Sequence, residues 1–338
     1  MTHSLSKVKW GVLGVAKIAT TKVIPAMQRG EWTEIAAIAS RDRAKAEEAS
    51  RSLGIPKAYG SYDALLADRA IEAIYNPLPN HLHVPWTLKA VEAGKHVLCE
   101  KPIGLSAQEA ATLIAARDRA GVHVQEAFMV RMHPQWLRVR EIVRAGEVGP
   151  LRSMSGFFSY FNADPANVRN VRSYGGGALM DIGCYLVHTA RFLFEREPHR
   201  VIAAAERDAR FDTDVLTSIL LDFAPGHAIG TCGTQLVPWQ RIGVFGERGR
   251  IDIEIPFNAP PDRPCRVFVD DGSDLFGAGC SELTVERCNQ YTIQGDLFAQ
   301  AVRGRIEPVY RLEDSVRNMR VIDALFRSAE SGRWEQPS

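Results

Sequence analysis

Through the first 145 residues apolar positions fall in short blocks. Val8–Leu13, Ile35–Ala39, Ile71–Tyr75, Val97–Cys99 and Val122–Glu126 read as buried strands. Between them run longer amphipathic stretches. Lys17–Arg29 reads as a helix interrupted by Pro25, and Arg43–Leu53 as one stopped by Gly54. A third runs to Ala93, and a fourth spans Ala107–Ala120, with Ser106 as its N-cap and Gly121 at its end. Strand–helix alternation of this kind predicts a parallel sheet with helices on both faces.

After Gly149-Pro150 the pattern changes. Leu151–Phe161, Val201–Arg207, Val215–Phe223, Ala228–Thr234 and Ile242–Phe245 read as strands joined mostly by turns. Pro225-Gly226 between two apolar runs signals a hairpin, and the stretch FGERGRIDI signals another. Helical patterns cover about 177–194, Gln294–Val302 and Leu312–Glu330. These elements predict a mainly antiparallel sheet with helices on one face. The boundary between the two halves falls between Ala127 and Pro150. Apolar strand positions Val215, Ile219 and Leu221 are expected on the uncovered face, where they would form a homodimer or homotetramer interface.

The chain has 338 residues, 41 basic and 40 acidic, for a net charge of +1. That balance argues against a dedicated nucleic-acid binder and against an electrostatic membrane anchor. Six scattered cysteines without a Cys-x-x-Cys pair suggest a reducing compartment. No apolar signal segment and no membrane-length apolar run is visible, so a cytoplasmic protein is expected. The histidines and cysteines are not in ligand spacing, and no metal is expected.

The first strand leads into Gly14-x-Ala16-x-x-Ala19, where a dinucleotide site carries its glycine-rich turn. Gly14 supplies the tight turn, small residues allow backbone approach, and the helix start at Lys17 and Ile18 offers N–H groups to a pyrophosphate. The second strand ends in Ser40 and Arg41, with Asp42 one step later. Arg41 suits a ribose 2′-phosphate, so NADP is favoured, with NAD the alternative. On a purely structural reading Asp42 is the N-cap of the next helix and Arg41 a solvated charge. Pro77, Leu78, Asn80 and His83, in YNPLPNHLH, and Glu100-Lys101-Pro102 should open on the same sheet edge, which places Lys101 where a nicotinamide would lie. In YGGGALMDIGCYLVH, Asp181, Tyr185 and His188 fall on one helical face.

Glu-Lys-Pro after the fifth strand together with GGGALMDIGCY resembles the glucose–fructose oxidoreductase and inositol dehydrogenase (Gfo/Idh/MocA) superfamily. The resemblance covers nearly the whole chain. Tyr185, with EAFMVRMHPQW and FFSYFNADPANVRN, resembles the subgroup of glucose–fructose oxidoreductase, dihydrodiol dehydrogenase and NADP-dependent xylose dehydrogenase. His188 departs from the asparagine or aspartate more common there. The resemblance implies an α/β protein with a Rossmann dinucleotide-binding domain over 1–127 and an open-faced α/β domain over 128–338. It implies a nicotinamide cofactor and a sugar or cyclic polyol substrate.

Oxidising an alcohol needs a base within reach of the hydroxyl proton. Tyr185 is the candidate, Lys101 the ammonium that favours its phenolate, and Asp181 a partner for the lysine or for a sugar hydroxyl. Arg131, Asn162, Arg169 and His188 are candidate substrate contacts. An aldose or pyranose dehydrogenase is the leading expectation. A keto-sugar or dicarbonyl reductase, an enzyme that keeps its nucleotide while shuttling hydride between two sugars, and a non-catalytic nucleotide sensor are the alternatives.

Overall fold

The structure, a computed structural model, describes residues 6–338. Contacts divide the chain into two compact units. The first runs to Met129 and takes in Asn289–Val316; the second comprises Val130–Cys288 and Arg317–Ser338. The division expected at 127/128 assigns 289–316 to the second domain, whereas these residues pack within the first unit. Helix α8 (Gln290–Val302) lays Phe298 on Trp10, ring centroids 5.1 Å apart. Its Asp296 accepts from the N–H groups of Glu31 and Trp32 at 3.0 and 2.9 Å. Contacts between such distant segments leave no local signature in the chain.

Six parallel strands form the first sheet: β1 (Val8–Leu13), β2 (Thr33–Ala39), β3 (Lys57–Tyr59), β4 (Ala73–Asn76), β5 (His96–Cys99) and β6 (Val124–Glu126). Their order is β3-β2-β1-β4-β5-β6. It reverses between β1 and β4, so a crevice forms beyond the carboxyl ends of these strands, where ligands of such sheets bind. Asp42 and Ser106 cap helices α2 (Arg43–Leu53) and α5 (Ala107–Ala120), and left-handed glycines, Gly54 and Gly121, stop them. The stretch Lys17–Arg29 is not one α-helix. A π-turn over Ala19–Val23 leads into the short α1 (Ile24–Met27), with Pro25 in its first turn, where a missing N–H costs nothing. Strand β3 and helix α3 (Tyr62–Leu66) are too short for periodicity to reveal them.

The second sheet has eight strands: β7 (Leu151–Phe161), β8 (Arg200–Arg207), β9 (Asp214–Asp222), β10 (His227–Gly233), β11 (Gln235–Gly246), β12 (Arg250–Ile253), β13 (Cys265–Asp270) and β14 (Cys280–Val285). Their order is β14-β13-β12-β11-β7-β10-β9-β8, and only β7 and β10 pair in parallel. Helix α7 (Cys184–Phe194) covers one face. A Cβ at Gly156 or Gly230 would meet Leu186 of α7 at 2.7 or 2.9 Å, so glycine permits this close approach of helix and sheet.

Ile219 and Leu221 belong to that covered face. They pair with Gly230 and Ala228, and are 6% and 0% exposed. Val215 has the same parity. The open face carries Leu220, Phe157, Ile229 and Trp239 instead, the last two 48% and 55% exposed. With period 2, a one-residue slip exchanges the faces. Among the described residues no helix is long and apolar enough to cross a membrane.

Candidate active site

At the carboxyl edge of the first sheet, Gly14 follows β1 with φ +84°, in the left-handed region, and donates its N–H to Ala39 at 2.7 Å. A Cβ there would lie 3.0 Å from Leu78 and 3.5 Å from the Tyr62 hydroxyl. Ala16 and Ile18 are half-buried against the core, and Lys17 between them is exposed. Ser40 is buried and accepts from the Asp42 N–H at 3.2 Å. The Asp42 carboxylate itself accepts from the N–H groups of Ala44 and Lys45 at 3.0 and 3.4 Å. That acid is therefore engaged at the start of α2. Arg41, beside them, is exposed.

Pro77 and Leu78 are buried after β4, and the Leu78 N–H reaches Asn76 Oδ1 at 3.3 Å. Asn80 opens a single 3₁₀ turn, Asn80–Leu82, ahead of α4 (His83–Glu92). His83 is buried, its ring nitrogens 2.7 Å from the Pro102 carbonyl and 2.6 Å from that of Leu78. Burial pulls its imidazole down to about 4, against the pull of the two carbonyls. A neutral ring donates to one of them, so His83 ties the loop after β4 to the loop after β5.

Glu100, after β5, accepts from the Tyr75 hydroxyl at 2.6 Å and from the Lys101 N–H at 3.4 Å. Burial, then the Glu100 charge, raises the Tyr75 phenol well above the tyrosine range. Lys101 is half-buried, and its bond to Pro102 is cis. The next N–H, of Ile103, donates to buried Glu126 at 2.8 Å, whose other oxygen accepts from Tyr310 at 3.2 Å. The lysine is thus flanked by backbone held on both sides.

Burial pushes the Glu126 carboxyl up to about 8, against the pull of Ser315, the Ile103 N–H and Tyr310. A carboxyl raised in the fold keeps its proton while the unfolded chain loses it. Its contribution is therefore full below the ordinary value of 4.5 and falls as pH rises toward about 8. Glu126→Gln keeps the neutral form. Its melting temperature should fall less than that of the wild type between about pH 5 and pH 9. Equal slopes for the two proteins would contradict a neutral Glu126.

In the second unit Asp181 lies in a π-turn, Leu179–Gly183, that runs into α7. Its Oδ2 accepts from the Tyr160 hydroxyl at 2.6 Å and from Arg169 Nε at 2.8 Å. Arg169 and Asp181, both expected site residues, are therefore brought together. Burial, then the Asp181 charge, raises the Tyr160 phenol well above its usual range. Asn162 instead closes its own loop, its Oδ1 accepting from the Asp164 N–H at 3.0 Å and from Asn170 at 3.3 Å. Tyr185 is buried between Phe158 and Phe257, centroids 5.9 and 5.3 Å away. His188 is buried farther along the helix. Arg131 stacks over Phe192, 5.2 Å from its centroid. All of α7 is buried.

Tyr62, Tyr75 and Tyr160 escape a reading of the sequence. A tyrosine hydroxyl acquires its meaning from a partner that tertiary packing supplies. The one local signal is Ser61 ahead of α3, its hydroxyl accepting from the Ala64 N–H at 3.1 Å.

Residues 8–128 match the model of an oxidoreductase family with an NAD-binding Rossmann fold, and residues 136–252 match the GFO/IDH/MocA C-terminal domain. An uncharacterized oxidoreductase of Rhizobium meliloti is 46% identical, covering 97% of this chain and 98% of that one. A D-xylose 1-dehydrogenase (NADP(+)) of Haloferax volcanii is 39% identical, covering 96% and 98%. A solved 3-ketoreductase from Actinomadura kijaniata, in complex with NADP and TDP-benzene, superposes with a TM-score of 0.89 at 29% identity, covering 96% and 98%. Solved variants of that enzyme replace a lysine by alanine or glutamate, and a tyrosine by phenylalanine.

Proposed function

The chain belongs to the Gfo/Idh/MocA oxidoreductase family, and we propose that it is an NADP-dependent dehydrogenase of an aldose or cyclic polyol. The observation that carries the cofactor choice is the end of β2. The nearby acid, Asp42, is engaged as a helix cap, which supports Ser40 and Arg41 as the residues that would read a 2′-phosphate. The D-xylose dehydrogenase and the ketoreductase, both associated with NADP, support the same choice.

The turn at Gly14 fits a pyrophosphate: glycine is required there, and helical N–H groups follow it at Lys17 and Ile18. Pro77, Leu78, Asn80 and Glu100 would line the nicotinamide side, with His83 fixing the loops from beneath. When bound, the nicotinamide supplies the hydride acceptor or donor. Tyr185 then takes the proton of the substrate hydroxyl in oxidation, or returns it in reduction. The Lys101 ammonium stabilises the phenolate that this requires. Asp181, its charge compensated by Arg169 and Tyr160, stays an acceptor for a sugar hydroxyl. Arg131 and His188 complete the substrate side, and Asn162 shapes its loop. The lysine and tyrosine replaced in the ketoreductase variants are the residue types assigned here.

Run in reverse, the same groups would reduce a keto-sugar, the activity in the ketoreductase's name. A panel of aldoses, inositols and diols assayed with NADP⁺ and NAD⁺ by nicotinamide absorbance tests the reading. Tight NADP⁺ binding without turnover on any of them would favour a nucleotide sensor instead.

The open face of the second sheet, with Ile229 and Trp239 exposed, supports a homo-oligomer. Sedimentation at micromolar protein should show a dimer or larger; a monomer there would refute this.

A further inference from the structure

Tyr62 opens α3, a helix that no sequence pattern assigned to a site. Its side chain is only 6% exposed. The ring meets Trp86 edge-on, centroids 4.8 Å apart and planes at 87°, which fixes where the hydroxyl sits. Trp86 is held in turn under the Lys89 ammonium, 4.2 Å from its ring centroid, and Lys89 pairs with Asp63 at 2.9 Å. The hydroxyl stands over the first βα turn, 3.5 Å from the position of a Cβ on Gly14.

The Arg41 guanidinium approaches the same hydroxyl and draws the phenol down, though burial outweighs it and leaves the phenol raised and neutral. A guanidinium only donates. Any bond between the two therefore uses the tyrosine oxygen as acceptor and leaves the phenolic proton over. Among the described residues Arg41 is the one charged group acting on the Tyr62 hydroxyl, and no carboxylate does. Two donors thus converge beside a phosphate-binding turn, one on a side chain more than nine-tenths buried, with no protein anion between them. An anionic oxygen is the acceptor that suits this pair of donors best.

We propose that Tyr62 is a cofactor-selectivity residue whose hydroxyl joins Arg41 in binding the 2′-phosphate of NADP. The assignment rests on the reading of Ser40 and Arg41 given above. It adds a contact that the strand-end motif does not contain, from a helix that follows the next strand.

The test is titration of NADP⁺ and NAD⁺ into wild type, Tyr62→Phe and Arg41→Ala, followed by fluorescence or calorimetry. Tyr62→Phe keeps the ring on Trp86 and removes only the oxygen. It should weaken NADP⁺ about 10-fold or more, the usual effect of losing a hydrogen bond to a charged group, and leave NAD⁺ unchanged. Adenosine 2′-monophosphate should lose affinity in parallel, and adenosine 5′-monophosphate should not. If Tyr62→Phe weakens both cofactors equally, the hydroxyl shapes the turn and the proposal falls; it falls too if neither affinity moves. Arg41→Ala separates this claim from the one beneath it. Selectivity lost in Tyr62→Phe but kept in Arg41→Ala would retain the tyrosine and overturn the arginine. The opposite result would do the reverse.

Discussion

Replacing Tyr185 by phenylalanine is expected to lower turnover roughly 10²–10⁴-fold, the usual worth of a positioned acid or base. The fold and the affinity for NADP should survive. The ring packs against Phe158 and Phe257, and those contacts belong to carbon atoms that phenylalanine keeps. Only the oxygen goes. The loss should fall on kcat, because a proton moves in the transition state and not in the bound ground state. Steady-state kinetics and cofactor titration of the two proteins check this. If Tyr185→Phe retains most of its turnover, the base lies elsewhere. His188, buried on the same helix, becomes the next residue to test.

Lys101→Met is expected to be at least as damaging. The change removes the ammonium and keeps the length of the side chain. The surrounding loop should hold its shape, since its anchors do not involve the lysine side chain: Pro102 rests on His83, and Ile103 on Glu126. A loss of turnover by about 10²–10⁴-fold with a native melting temperature would therefore report on chemistry. The double variant, Lys101→Met with Tyr185→Phe, should be little worse than the poorer single, because groups acting as one unit are not additive. Fully multiplied losses would mean that the two side chains act independently.

The edge of the first sheet was legible because each part of it has a local cause. Apolar runs mark the strands, Asp42 and Ser106 mark helix starts, and Gly54 and Gly121 mark stops. Gly14 could be placed at the tight turn because only glycine is at ease at that φ. The partners of the site were not legible. Nothing near Asp181 in the chain signals that Tyr160 will donate to it, and nothing near Ile103 signals Glu126. The packing of 289–316 within the first unit depends on Phe298 meeting Trp10, a contact between opposite ends of the sequence. The open face of the second sheet was misassigned for another reason. Alternation along β9 identifies two faces without saying which one a helix will cover. Leu186 decides that by seating over Gly156 and Gly230.

The chain is proposed to move hydride between NADP and a sugar or polyol hydroxyl, with Tyr185 handling the proton. The decisive experiment assays wild type and Tyr185→Phe side by side with NADP⁺ across the aldose and polyol panel, with NADP⁺ affinity measured on the same preparations. Wild type should reduce NADP⁺ with at least one member, and Tyr185→Phe should bind NADP⁺ equally well yet lose nearly all of that turnover. Equal turnover in the two proteins, or firm NADP⁺ binding by a wild type that oxidises and reduces nothing in the panel, would contradict it.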